Sequence, residues 1–130
     1  MRKKIVAGNW KMNNSLNDTI NLINDLKQNI VSSDVKVMIA PSFPFLKTAV
    51  DQLKDVNVEV ISQNINDNKS GAYTGEVSID MLKSIGVEST LIGHSERRAY
   101  YCEDDKLLLK KINLALECDM NVIFCFGEEL

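Results

Sequence analysis

One feature limits the fold of this chain more than any other: short apolar runs alternate with helical stripes from end to end. The runs are K-I-V-A-G-N (4–9), V-K-V-M-I-A-P (35–41), V-E-V-I-S-Q-N (58–64), S-T-L-I-G-H (89–94) and N-V-I-F-C-F-G-E (121–128). Each is rich in Val, Ile or Phe and stops at a small or polar residue, as strands do. Several are apolar on both faces, the pattern of strands covered on two sides in a parallel sheet. Between the first two, Leu16, Ile20, Ile23, Leu26 and Ile30 recur at steps of three and four and line one helix face. Ser15 is placed to cap that helix, with Asp18 near its positive end. Pro44 is expected to start a second helix through Phe45, Ala49 and Leu53. Residues 78–85 predict a third, closed by Gly86, and 104–117 a fourth, with Leu108, Ile112, Ala115 and Leu116 as core contacts.

Strands and helices alternating at this spacing make right-handed βαβ units on a parallel sheet, an α/β fold. An open doubly wound sheet and a (β/α)₈ barrel both satisfy the pattern. An ordinary barrel takes about 250 residues. For a complete chain of 130 residues the open sheet is therefore favoured, and a barrel reading makes the chain a part of something longer.

Composition removes several classes of function. The formal net charge is −3 and no Lys/Arg-rich cluster of the kind that holds phosphate backbones or anionic lipid occurs, so neither a nucleic-acid backbone nor an anionic membrane surface is an expected partner. Cys102, Cys118 and Cys125 are odd in number and form no C-x-x-C pair, which argues against a disulfide framework and for a reducing compartment. Three scattered cysteines and one histidine make a poor zinc site. The apolar part of M-R-K-K-I-V-A-G is too short for a signal peptide. No stretch approaches the roughly 20 apolar residues of a membrane span. The expectation is a cytoplasmic protein.

In parallel α/β folds function gathers at the carboxyl ends of strands. Here those ends carry Asn9 followed by Trp10 and Lys11, then Gln63 and Asn64, then His94, Ser95 and Glu96, then Gly127 and Glu128. An amide, an ammonium, an imidazole and a carboxylate could share one mouth. Each also has a plainer reading. Lys11 alone reads as a solvated loop lysine, Asn9 as a turn residue, and His94 as a hydrogen-bonded structural histidine. Glu96 with Arg97 or Arg98 reads as an exposed ion pair worth about 0–1 kcal/mol.

Two stretches carry a family resemblance. A-G-N-W-K-M-N at 7–13 and I-G-H-S-E-R-R at 92–98 resemble the N-terminal motifs of the triosephosphate isomerase family. Q-N-I-N-D-N-K-S-G-A-Y-T-G-E-V-S at 63–78 is similar to that family's third loop, and N-V-I-F-C-F-G-E at 121–128 to its fifth strand. The resemblance implies one incomplete domain over 1–130, a partial (β/α)₈ barrel of the first four βα units plus strand five. It implies an isomerase for dihydroxyacetone phosphate and glyceraldehyde 3-phosphate, working through an enediolate in glycolysis and gluconeogenesis, with no cofactor and no metal. Asn9 and Lys11 would bind the phosphorylated triose, and His94 would be the electrophile. Glu96 would orient or balance Lys11 and the loop around His94. Cys125 would pack beneath the site in a structural role. The family is itself a standing example of a neutral histidine that polarises a carbonyl from a helix N-terminus.

The resemblance also implies a homodimer, with Tyr73 and Thr74 at the tip of a loop reaching toward the other subunit. From residues alone, the polar segment from Asn64 to Val77 reads as a flexible surface loop. The family's catalytic base, its lid and its phosphate loops have no counterpart in the 130 residues, and Glu128 and Glu129 match nothing catalytic. The chain alone is expected to be inactive and poorly folded. Two alternatives remain at this level: a non-catalytic flavodoxin-like βα binding module, and a fragment that serves only as an interaction piece.

Overall fold

The computed structural model describes residues 3–31 and 34–127. Its elements run β1 (Ile5–Asn9), α1 (Leu16–Asn29), β2 (Lys36–Ala40), a 3₁₀ turn (Phe43–Phe45), α2 (Leu46–Leu53), β3 (Val58–Val60), α3 (Ile79–Ser84), β4 (Ser89–Ile92), α4 (Ser95–Tyr100), α5 (Asp105–Glu117) and β5 (Asn121–Phe124). The backbone clusters into two compact units. Of the described residues, one comprises those up to 63 together with 85–87, the other 64–84 and those from 88 on.

In the first unit β1, β2 and β3 form a parallel sheet in that order. Parallel neighbours need a crossover, and α1 and α2 supply it. The start of α1 is fixed by its own sequence. Ser15 Oγ accepts the Asp18 N–H at 3.3 Å, while Asp18 Oδ2 accepts the Ser15 N–H at 3.0 Å and the Ser15 hydroxyl at 2.6 Å. This reciprocal cap satisfies two amides that the first helical turn leaves open. The Ser15 hydrogen bonds hold the Asp18 carboxyl below its usual range. Pro44 opens the 3₁₀ turn rather than α2 itself, which begins at Leu46. Its missing N–H is harmless there. The core of this unit gathers Ile23, Met38, Ile39, Ala40, Leu46, Ala49, Leu53, Val60 and Ile61.

One expectation for this unit fails. Leu16, placed on the buried face of α1, is exposed, and Thr19 is buried in the stripe instead. β1 is not covered on both faces. Ile5 is 52% and Val6 61% exposed. β1 lies at the edge of its sheet, so one side of its backbone has no strand partner among the described residues.

In the second unit β4 and β5 pair in parallel, joined by α4 and α5. All four residues of β4 are buried, including Ser89 and Thr90. α4 is a helix that the sequence reading did not place. Asp104 caps α5 by accepting the Leu107 N–H at 2.8 Å. The helix ends without glycine. Asp119 takes φ +51°, and the Met120 N–H reaches back to the Ala115 carbonyl at 2.8 Å. That is a Schellman closure with buried Met120 as its apolar contact. Leu108 and Ala115 are buried as expected. Leu116 is exposed, and Leu114 and Lys111 take its place on the inner face.

Candidate active site

Chemistry-bearing residues sit at two strand ends, one in each unit. At the first, Asn9 closes β1 and its Oδ1 accepts the Lys11 N–H at 2.9 Å. This side-chain turn reverses the backbone within two residues. Lys11 takes φ +53°, in the left-handed region. A residue with a β-carbon loses about 1–2 kcal/mol there. The surroundings over-determine that strain. The Lys11 carbonyl accepts from Gln63 Nε2 at 2.8 Å and from Ser42 Oγ at 2.9 Å. Gln63 Nε2 also donates to the Ala40 carbonyl at 2.8 Å, and the Trp10 N–H reaches that same carbonyl at 3.1 Å. The ends of all three strands are thus stitched around the Lys11 backbone, and its side chain is exposed.

At the second end, Gly93 leaves β4 with φ +81° and His94 becomes the N-cap of α4. The His94 carbonyl accepts the N–H of Arg97 at 2.9 Å and of Arg98 at 3.2 Å. His94 Nδ1 accepts the Glu96 N–H at 3.3 Å, and Glu96 Oε2 lies 3.5 Å from the same nitrogen. The amide is fixed by the helix, whereas the carboxylate swings on three side-chain bonds. While Nδ1 accepts a backbone N–H its lone pair is occupied, and the ring hydrogen then belongs to Nε2. Such a ring keeps one N–H donor, at Nε2, suited to polarising a carbonyl oxygen.

Arg97 and Arg98 do not serve as a simple pair for Glu96. Arg97 Nε donates to Glu103 Oε1 at 2.7 Å, and its guanidinium stands 4.7 Å over the Tyr101 ring. Glu103 Oε1 also accepts from Lys111 Nζ at 2.5 Å, and Lys111 Nζ donates to Asn64 Oδ1 at 2.9 Å. Glu103, Lys111 and Asn64 are all buried. Burial pushes the Glu103 carboxyl up, but hydrogen bonds and charge from Lys111 and Arg97 outweigh it and hold the group below its ordinary value. Sequence reasoning missed this network. The available signal was Lys111 itself, a cation three residues after Leu108 and four before Ala115 on the apolar stripe of α5.

Tyr73 and Thr74 are exposed on the loop between β3 and α3. The loop is ordered: the Asn66 N–H donates to the Val77 carbonyl at 2.9 Å, closing its base, and the Glu76 N–H to the Tyr73 carbonyl at 3.0 Å. Asn66 Oδ1 accepts the Asn68 N–H at 2.9 Å within it. Bonds within the loop close it on itself, and Asn64 and Ile65 at its start are buried. Cys125 follows β5, and burial pushes its thiol up, against a nearby Arg98 charge that lowers it. That suits packing better than nucleophilic attack. Glu128 and Glu129 lie outside the described residues. No cluster of three or more His, Cys, Asp or Glu among the described residues could hold a metal ion. None of the described helices is long and apolar enough to cross a membrane.

Asn9 and Lys11 are thus brought together in the first unit, and His94 and Glu96 in the second. Parallel strands with crossover helices, and polar residues at their carboxyl ends, define an α/β protein of the βα-repeat class. A sequence model of the family described as triosephosphate isomerase matches residues 4–130. The chain belongs to the triosephosphate isomerase family, and its fold is a partial (β/α)₈ barrel. The open-sheet flavodoxin-like alternative does not stand beside that match. The triosephosphate isomerase of Flavobacterium psychrophilum is 52% identical over all of this chain and 52% of its own length. Those of Flavobacterium johnsoniae and Finegoldia magna are 49% and 47% identical, again over all of this chain and 52% of theirs. The chain spans about half the length of the curated relatives it matches.

Proposed function

We propose that the protein carrying this chain interconverts dihydroxyacetone phosphate and glyceraldehyde 3-phosphate, a step of glycolysis and gluconeogenesis. The reading is carried by one observation: the polar residues of the family's two motifs stand at the carboxyl ends of parallel strands. Removing a proton from carbon beside a carbonyl leaves negative charge on the oxygen, so a site needs a base and an electrophile. Lys11 supplies a fixed positive charge for the phosphorylated substrate and the developing enediolate, and Asn9 shapes the turn that presents it. His94 supplies an N–H donor to the oxygen, and Glu96 steadies the imidazole. The base is a carboxylate outside these residues, so the 130 residues alone are expected to be inactive. Tyr73 and Thr74 would contact a second subunit of a homodimer in the cytoplasm.

The test is incubation with dihydroxyacetone phosphate in heavy water, following aldehyde formation and deuterium uptake at the exchanging carbon. The isolated chain should give neither, and the chain supplied with the segment bearing the base should give both. A folded, fully complemented protein that exchanges no deuterium sinks the reading.

A further inference from the structure

Arg98 is the residue of the H-S-E-R-R stretch whose contacts the proposed chemistry leaves unused. Its Nε donates to the Gly93 carbonyl at 2.8 Å and its Nη2 to the Cys125 carbonyl at 3.0 Å. Gly93 immediately precedes His94. Cys125 is itself tied to β4, because its N–H donates to the Ile92 carbonyl at 2.8 Å. The Arg98 N–H also closes on the His94 carbonyl at 3.2 Å. The guanidinium lies 5.5 Å over the Phe124 ring. One side chain therefore joins the end of β4, the end of β5 and the first turn of α4, with His94 inside the loop it closes.

Gly93 supports the same arrangement. A β-carbon there would lie 2.9 Å from the Cys125 carbonyl oxygen, 3.0 Å from Arg98 Nη2 and 3.1 Å from the Phe124 ring. The junction is packed too tightly for any side chain, and its φ of +81° suits glycine. The third contact, Arg98 Nη1 to Asp105 Oδ1 at 3.2 Å, involves an acid whose side chain is 96% exposed. Exposed pairs contribute little. The carbonyl contacts are the ones that matter, and two diverging carbonyls need a planar fork that lysine lacks.

We propose that Arg98 is a positioning residue: through the Gly93 and Cys125 carbonyls it fixes the backbone on which His94 turns, and so sets which ring nitrogen faces outward. The assignment rests on the proposed role of His94 but is tested without catalysis. His94 is the one histidine of the chain. Nitrogen-labelled histidine in this chain, complemented by the unlabelled segment that bears the base, therefore reports on that ring alone, and His94→Gln blanks the signal to assign it.

In that complemented protein the two ring nitrogens should be well separated, one carrying hydrogen and the other accepting. Arg98→Met should draw them together by more than half of that separation, as the tautomers mix. Arg98→Lys should give an intermediate shift, and it retains the cation should the methionine variant not fold. Asp105→Ala should change nothing. In turnover by the complemented protein, Arg98→Lys should lower kcat about 10- to 100-fold with KM unchanged, the mark of a misplaced catalytic group. An unshifted His94 signal in both Arg98 variants, or an equal shift in Asp105→Ala, overturns the assignment. A protein that never isomerises the triose yet shows the expected pattern loses the proposed function and keeps this one.

Discussion

The turn after β1 and the turn after β4 both present a functional side chain, but they are held in opposite ways. Lys11 is held by its backbone, through Gln63 and Ser42, residues 52 and 31 positions away. His94 is held by its neighbours, through the Glu96 amide and through Arg98, and only the Cys125 carbonyl comes from far along the chain. The difference follows from what each turn must do. A lysine in the left-handed region needs long-range bonds to offset its strain. A helix N-cap supplies its own geometry from the next turn. Damage to distant residues should therefore reach Lys11 before it reaches His94.

The largest effect is expected at Lys11 itself. One charge pair at about 4 Å, with an effective dielectric near 20, is worth about 4 kcal/mol, or about three decades of rate. Lys11→Ala should lower kcat/KM of the complemented protein by about 1,000-fold in steady-state assays. Near-normal kinetics would remove Lys11 from the chemistry and leave the β1 turn a structural device.

Next comes the buried network behind α4. Lys111→Met should lower stability by about 3 kcal/mol, because it strips one partner from a buried carboxylate. It should also change the acid limb of a melt series. The Glu103 carboxyl lies below its ordinary value of 4.5, so its stabilisation is full above that pH. It is lost as pH falls through the lowered value of the folded state. Wild type should lose melting temperature steeply on that limb, and Lys111→Met should show a shallower loss. Parallel limbs would show that Lys111 does not set the titration.

Gln63→Ala separates the two turns most directly. It removes two hydrogen bonds, each worth about 0.5–1.5 kcal/mol net. Turnover should fall about tenfold through Lys11, while the histidine nitrogen signals stay unchanged. Movement of the His94 signals would break the distinction between a long-range and a local turn. Ser15→Ala should cost about 1 kcal/mol. Thermal melts should show the loss, and neither turn should change; altered kinetics would mean that α1 bears on the Lys11 loop.

Much of this was legible beforehand for local reasons. The five strand positions followed from short apolar runs, and the α1 cap from Ser15 and Asp18, whose side chains bond each other and each other's backbone N–H. Asn9 acts two residues away, and His94 caps the helix it begins. These interactions are short-range, so the order of residues specifies them.

What stayed hidden depended on elements meeting across many residues. Lys111 went unremarked because Glu103 and Asn64, which folding sets against it, lie eight and 47 positions away. Arg98 looked like a partner for Glu96 until folding turned it toward the carbonyls beside it. The sequence by itself determined where the chain stiffens into strands and helices, and which polar groups stand at their ends. Only the tertiary structure decided which of those groups are buried and paired. Burial and pairing depend on distances between residues that chain order does not bring near, and a buried charge persists only where such a partner is in reach.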